Sequence, residues 1–183
     1  MVGLIMKLDL DEDVKMVEIE LTQGKVTIVD DIDSDLNLKK WCAHKDRNVF
    51  YALRGKPHIK MHRVILGRML GRELEKGEQV DHKNHDGLDN RRENLRLATG
   101  TENCRNRSKR KGASMFKGVC WNKLRCKWQA NITIDGRSKH LGRFDSEMDA
   151  ARAYDKAAIR MFASFCSLNF PMSNYLTPES ITV

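Results

Sequence analysis

Residues 80–103 read VDHKNHDGLDNRRENLRLATGTEN. An apolar approach ends in the adjacent pair Asp81 and His82, a polar loop rich in turn formers follows, and Asn94-Leu95-Arg96-Leu97 closes it, with Asn103 just inside the helix expected next. Neighbours in an extended segment point to opposite sides, so the two side chains can take different tasks. One suits a metal ion and the other a proton, an arrangement fit to hold one divalent metal against a phosphate. His85, Asp86, Asp89 and Asn90 lie in the loop and read first as turn chemistry.

Upstream, residues 16–30 (MVEIELTQGKVTIVD) alternate apolar and polar positions on either side of Gln23-Gly24, which predicts a β-hairpin. An acidic turn is expected from Asp30 to Asp35. A further strand is expected at Val49 to Leu53, packed behind Trp41 and ended by a turn at Arg54-Gly55-Lys56-Pro57. From Lys60 to Leu70 the apolar residues Met61, Val64, Ile65, Leu66, Met69 and Leu70 recur at helical spacing and stop at Gly71. The exposed face of that helix is expected to carry His62, Arg63 and Arg68.

Downstream, Arg105, Arg107, Lys109, Arg110 and Lys111 crowd a short polar stretch without apolar periodicity, which reads as a basic linker able to track a polyanion. Met115 to Trp121 is expected as a strand. Lys127 to Ile134 places Trp128, Ala130, Ile132 and Ile134 on one face and Lys127, Gln129, Asn131 and Thr133 on the other. Asp135-Gly136 is a two-residue hairpin turn leading into a strand from Arg137 to Phe144, which puts Ser138 and His140 on the polar face with Thr133. Ser146 caps a final helix with Asp149 three residues on, and its inward stripe is Ala150, Ala153, Tyr154, Ala157, Ala158 and Met161. So many alanines let a helix lie close to a sheet and leave the opposite face free to bind. Trp128, Phe144, Tyr154 and Phe170 are expected in the core.

The chain has 183 residues, 40% of them hydrophobic, and a net charge of +8. That suffices for one ordinary domain or two small ones. The charge is uneven: residues 1–38 carry ten acids and three bases, a net −7, and the remainder is +15. A basic body of that size points to a polyanionic partner. No apolar run is long enough to span a bilayer, and the acidic start does not resemble a signal sequence, so no membrane role and an intracellular location are expected. Cys42, Cys104, Cys120, Cys126 and Cys166 contain no Cys-x-x-Cys pair and read as reduced thiols. Cys120, Cys126 and His140 lack a fourth ligand for zinc.

The pattern V-D-H-x-N-x-D-G-x-x-N-x-x-x-N-L-R at 80–96, followed by an Asn in the next helix, resembles the HNH endonuclease family, with the likeness running from about His62 to Asn106. The resemblance implies a ββα-metal fold, with strands near Gln79 to His82 and Leu95 to Ala98 and a helix opened by Thr101. It implies Asp81 and Asn103 as metal ligands, His82 as the general base that activates water, and Asn94 as the residue that fixes the loop. The last motif position, often His in that family, is Asn103 here, which leaves one anionic ligand. A carboxylate, an amide and a phosphate are hard oxygen donors, so one divalent ion, Mg²⁺ or Mn²⁺, is the expected cofactor. Such an ion stabilises charge on the leaving 3′ oxygen, a neutral His takes a proton from water for in-line attack, and the product carries a 5′ phosphate.

Residues 114–171 resemble the Apetala-type (ethylene-response-factor) DNA-binding domain through F-K-G-V, K-W-x-A-x-I, L-G-x-F, A-A-x-A-Y-D-x-A-A and L-N-F-P. In that family a three-stranded sheet enters the major groove. The resemblance nominates Lys117, Lys127, Gln129, Asn131 and His140 for DNA contact, with Trp121, Lys123 and Arg125 at the rim. Gln129 and Asn131 suit adenine edges, and lysines position the duplex. Cys120 and His140 stand where that family favours Arg and Trp, so a target sequence does not transfer.

The expected fold is therefore α+β. A β-rich segment (1–58) leads into an HNH ββα-metal module (59–106), a basic linker (107–113), an Apetala-type module of three antiparallel strands packed on one helix (114–171), and a tail (172–183). The expected function is a site-directed, metal-dependent endonuclease of the HNH homing type, of phage or mobile-element kind. It would act as a monomer on double-stranded DNA in the cytoplasm of a phage-infected bacterial host, with no small-molecule cofactor. A DNA-binding transcriptional regulator with an inactive HNH-like module is the alternative, and a structural nucleic-acid-binding protein without target preference is a further one.

Overall fold

The computed structural model describes residues 15–107 and 112–175. Lys109, Arg110 and Lys111 of the expected linker lie outside the described residues. The chain is a mixture of α and β, with several small antiparallel sheets and few helices. Its described residues divide into two compact units: one takes those up to Leu74 together with Asp86–Arg96, the other Glu75–His85 and those from Leu97 onward. No described helix is long and apolar enough to cross a membrane.

In the first unit, β1 (Met16–Glu20) and β2 (Val26–Asp30) pair antiparallel across the expected turn, with Met16 opposite Asp30 and Glu20 opposite Val26. The acidic stretch after β2 is a 3-10 helix, Asp31–Leu38, rather than a simple turn. Its Asp33 is fully buried and takes Arg68 Nη1 at 2.9 Å and Arg92 Nε at 2.7 Å, while Asp35 accepts both Arg68 nitrogens at 2.7 Å. A buried carboxylate is tolerable only with such partners. Part of the acidic N-terminal charge is thus neutralised inside its own unit.

Strand β3 (Cys42–Asp46) joins β4 (Val49–Arg54) and β5 (Ile59–Lys60) in a three-stranded sheet. The sequence CAHKD of β3 has little apolar character, and the strand is set by its ladder to β4 and the buried Ala43 and Trp41 rather than by pattern. Helix α1 (Met61–Leu70) ends at Gly71, whose φ of 65° gives the left-handed cap that glycine adopts without strain. His62, expected on the exposed face of α1, is buried and meets the Tyr51 ring edge-on at 5.5 Å.

Residues 86–96 belong to this unit through hydrogen bonds to β2. Ile28 N–H donates to the Leu88 carbonyl at 2.9 Å, Asn90 N–H to the Ile28 carbonyl at 2.8 Å, and Asn90 Nδ2 to Thr27 Oγ1 at 2.7 Å. Gly87 lies against β4 so closely that a Cβ there would stand 2.4 Å from the Phe50 carbonyl oxygen.

Strand β6 (Gln79–His82), in the second unit, forms a two-stranded sheet with β7 (Leu95–Ala98), of which Leu97 and Ala98 belong to that unit, and α2 (Gly100–Asn106) follows. Helix α2 is opened by Thr99 and not by Thr101: Thr99 Oγ1 accepts from Glu102 N–H at 3.2 Å and Glu102 Oε2 accepts from Thr99 N–H at 2.8 Å. This is a capping box, legible as T-x-x-E. Arg105, expected in a linker, sits in the last turn of α2.

The C-terminal sheet has strand order β10-β9-β8, all antiparallel: β8 (Val119–Asn122), β9 (Lys127–Ile134) and β10 (Arg137–Phe144). Strand β8 starts at Val119 and not at Met115, which is exposed. Helix α3 (Glu147–Phe162) is capped by Ser146 Oγ, which accepts from Asp149 N–H at 3.4 Å. Val119, Ala130, Ala150 and Ala151 pack together with Phe116, Trp128, Phe144 and Phe170, and Ile132, Tyr154, Ala158 and Phe162 form the adjoining core. Ala151, Asp155 and Phe162 join the buried side of α3 beyond the expected alanine stripe.

Asp155, fully buried, accepts from Asn169 N–H and Nδ2, from Phe170 N–H and from the Tyr175 hydroxyl, all between 2.8 and 3.0 Å. The residues after α3 are therefore tied to it, including Tyr175 from the expected tail. Burial and the Asp155 carboxylate together hold the Tyr175 phenol above its ordinary range.

Candidate functional site

Strand β6 delivers Asp81 and His82 side by side, 4% and 6% exposed. The chain then reverses in a turn closed by His85 N–H donating to the His82 carbonyl at 3.0 Å, with His85 at φ 67°.

Asn106, the last residue of α2, organises this centre. Its Nδ2 donates to Asp81 Oδ1 at 2.9 Å, to Asp81 Oδ2 at 3.0 Å and to the His82 carbonyl at 3.1 Å, and its Oδ1 lies 3.1 Å from His85 Nε2. All neighbours of Nδ2 are acceptors, which fixes the orientation of the amide. An amide oxygen only accepts, so His85 carries its proton on Nε2. Asn103, expected as a metal ligand with Asp81, donates from Nδ2 to Gln79 Oε1 at 2.7 Å. The α2 side chain hydrogen-bonded to Asp81 is that of Asn106. The signal was available, since residues three apart on a helix share a side and the chain reads Asn103-x-x-Asn106.

Asn94 belongs to the first unit, where it ends the 3-10 turn Arg92–Asn94 and donates from Nδ2 to the Asp89 carbonyl at 2.7 Å. That bond closes the loop across five residues.

Among the described residues, no three His, Cys, Asp or Glu side chains converge as a metal-binding group. The donors at hand are one carboxylate, amide oxygens and imidazole. Asp81 can give a hard cation one oxygen while the other stays with Asn106. The residues therefore fit a divalent ion only if substrate phosphate and water complete its shell.

The second locus is the outer face of the C-terminal sheet. Cross-strand register puts Cys120 opposite Gln129, Asn122 opposite Lys127, Thr133 opposite Ser138 and Asn131 opposite His140 on this face. A hydrogen-bonded chain of amides runs over it: Asn122 Nδ2 donates to Gln129 Oε1 and Gln129 Nε2 to Asn131 Oδ1, each at 3.0 Å. Asn131 Nδ2 reaches Cys120 Sγ at 3.6 Å. His140 Nδ1 lies 3.4 Å from Asn131 Oδ1. Lys127 pairs with Asp145 at 2.6 Å, and Lys123 and Arg125 sit in the turn before β9.

Three placements bear on the nominated contacts. Trp121 pairs with Trp128 on the helix-facing side, edge to face at 5.1 Å, and is 40% exposed at the rim. A bulge after His140 moves Arg143 opposite Gln129, so this exposed cation joins the outer face. Lys117, nominated for DNA, donates from Nζ to the carbonyls of Arg105 and Arg107, both at 2.7 Å. Burial pushes its ammonium down to about 8.

Residues 60–105 match the HNH endonuclease family. The C-terminal region is similar to plant APETALA2-type proteins. APETALA2-like protein 2 of Oryza sativa subsp. indica is 36% identical over 69 residues, 38% of this chain and 16% of that protein. The AP2-like ethylene-responsive transcription factor TOE2 of Arabidopsis thaliana is 33% identical over 69 residues, 38% of this chain and 14% of its own length. The AP2-like ethylene-responsive transcription factor PLT2 of Arabidopsis thaliana is 37% identical over 67 residues, 36% of this chain and 12% of its own length. The chain thus spans less than a fifth of the length of these relatives. It joins an HNH endonuclease-type segment to an APETALA2-like region.

Proposed function

We propose that this chain, pairing an HNH endonuclease-type segment with an APETALA2-like region, is a metal-dependent endonuclease of the HNH homing type that hydrolyses a phosphodiester bond in double-stranded DNA. The observation that carries the reading is the buried pair Asp81–His82 bridged by Asn106, inside the segment that matches the HNH family.

His82 is the general base, taking a proton from the attacking water as a neutral imidazole. Asp81 would give one carboxylate oxygen, and Asn103 its amide oxygen, to a divalent ion, Mg²⁺ or Mn²⁺. When bound, that ion supplies charge stabilisation for the leaving 3′ oxygen. Asn106 holds the Asp81 carboxylate in one orientation, and Asn94 holds the loop. The outer sheet face lies in the major groove, where Gln129 and Asn131 read base edges and Arg143, Lys123 and Arg125 position the duplex. The 59–106 and 114–171 modules act in a monomer, one cut per encounter, in the cytoplasm of a phage-infected bacterial host.

A regulator that binds without cutting is the second reading. It is favoured by the names of the plant relatives and by the engagement of both Asp81 oxygens with Asn106. Incubation of supercoiled plasmid and host genomic DNA with Mg²⁺ or Mn²⁺ separates the two. Nicking or linearisation that requires metal and is lost in His82→Ala and Asp81→Ala supports the nuclease; tight binding with no cleavage under any of these conditions moves the regulator ahead.

A further inference from the structure

The path from the sheet face to the Asp81 carboxylate is continuous within the second unit. Asn131, on the outer face of β9, donates its N–H to the Gly118 carbonyl at 2.8 Å. The preceding residue, Lys117, is pinned at its backbone by Asn169, whose Oδ1 accepts from Lys117 N–H at 2.6 Å and whose Nδ2 donates to the Lys117 carbonyl at 3.1 Å. Asn169 is itself held by the buried Asp155. The Lys117 ammonium then binds the carbonyls of Arg105 and Arg107 at the end of α2. Between those two residues stands Asn106, which grips Asp81.

Arg105 makes a second tie: its guanidinium lies 4.8 Å from the Phe162 ring centroid and 3.3 Å from Asp135 Oδ1 in the turn between β9 and β10. Between these ties α2 and the sheet module line a cleft of about 930 Å³, with Cys104, Asn131, Thr133 and Tyr154 on its walls. That space is open and not a packed core, and Lys117 and Arg105 bridge it.

We propose that Lys117, with Arg105, is a positioning residue that locks α2 to the DNA-reading sheet, so that the phosphate cut lies at a fixed offset from the bases read. This rests on the nuclease reading above and adds to it that target choice and cut position are registered by one side chain. Lys117 therefore faces the protein and does not contact phosphate. Loss of its charge-assisted bonds shifts the balance toward unlocked α2 by roughly tenfold or more.

The test maps cleaved phosphates at nucleotide resolution on a DNA that the native protein cuts. Native protein is compared with Lys117→Met, with a Gly-Ser insertion after Arg107, and with Lys156→Met on the exposed side of α3 as control. Native and control should cut at one offset, while the share of product at neighbouring phosphates rises roughly tenfold in Lys117→Met and in the insertion. Binding measured in chelator should be unchanged. An unmoved cut in both altered proteins overturns the lock alone, and so does a weaker salt dependence of binding in Lys117→Met, which would put its ammonium on phosphate. A native protein that never cuts overturns the nuclease reading and the lock together. The insertion leaves Lys117 in place and keeps the question decidable if Lys117→Met fails to fold.

Discussion

At the scale of single residues, the two most consequential side chains are Asn106 and Lys117. Asn106→Ala removes the donor shared by both Asp81 oxygens and takes one hydrogen-bond partner from a buried carboxylate, which costs about 1–3 kcal/mol. Denaturant unfolding should show that loss, and cleavage should fall with it. Asn103→Ala frees only Gln79 Oε1 and should leave stability within about 0.5 kcal/mol of native. Lys117 gives a pH signature. Its amine, at about 8 when folded against an ordinary 10.5, binds fewer protons folded than unfolded between those values, so its contribution to stability rises with pH across that window. The neutral amine still has two N–H groups for the two carbonyls. Native protein should therefore gain stability relative to Lys117→Met between pH 8 and 10 in paired denaturation curves; parallel curves would refute the assigned burial. The sequence offered Asn106 only as a residue on the same helix side as Asn103, and it gave no sign of the role of Lys117. A motif names residue types at a spacing, but which of Asn103 and Asn106 meets Asp81 depends on how α2 is set against β6. Likewise a lysine in F-K-G-V reads as a phosphate ligand until the end of α2 is seen beneath it.

At the scale of elements, strict periodicity was enough for β9, for α1 with its stop at Gly71, and for the hairpin at Asp135-Gly136. Periodicity fails where tertiary partners decide. Strand β3 exists because β4 offers a ladder, and His62 is covered because Tyr51 lies over it. The bulge in β10 is a third case: counting by twos from Ser138 and His140 predicts the wrong partner for Gln129, because one extra residue at Leu141 shifts the count and turns Arg143 outward. If the outer face meets duplex DNA, Arg143→Gln should lower the slope of log affinity against log salt by about 0.9, the value for one phosphate contact. Fluorescence anisotropy across a salt series reads this directly. An unchanged slope would mean that β10 does not touch the backbone at that end.

At the scale of the whole molecule, composition was informative about partner and silent about partition. The uneven charge pointed to a polyanion, yet part of the acidic N-terminal excess is used internally, Asp33 and Asp35 by Arg68 and Arg92. The chain also crosses between its units three times, entering the second at Glu75, returning for Asp86–Arg96 and leaving again at Leu97. Hydrogen bonds between β2 and residues 88–90 are what place that middle stretch with the N-terminal unit. A protein beginning at residue 59 should therefore bind DNA through its C-terminal sheet but lose cutting, because the loop carrying Asn94 has lost its support. Gel-shift and nicking assays on the same preparation check both halves, and full cutting by the shortened protein would contradict it. The same interleaving has a consequence during synthesis. The N-terminal unit cannot close when β5 and α1 emerge from the ribosome; it must wait for residue 96, and by then β6 is already out, without the helix that will cover Asp81. Folding of the two units is thus ordered by the chain itself, and a ribosomal pause between residues 75 and 96 would expose both half-built units to proteases at once.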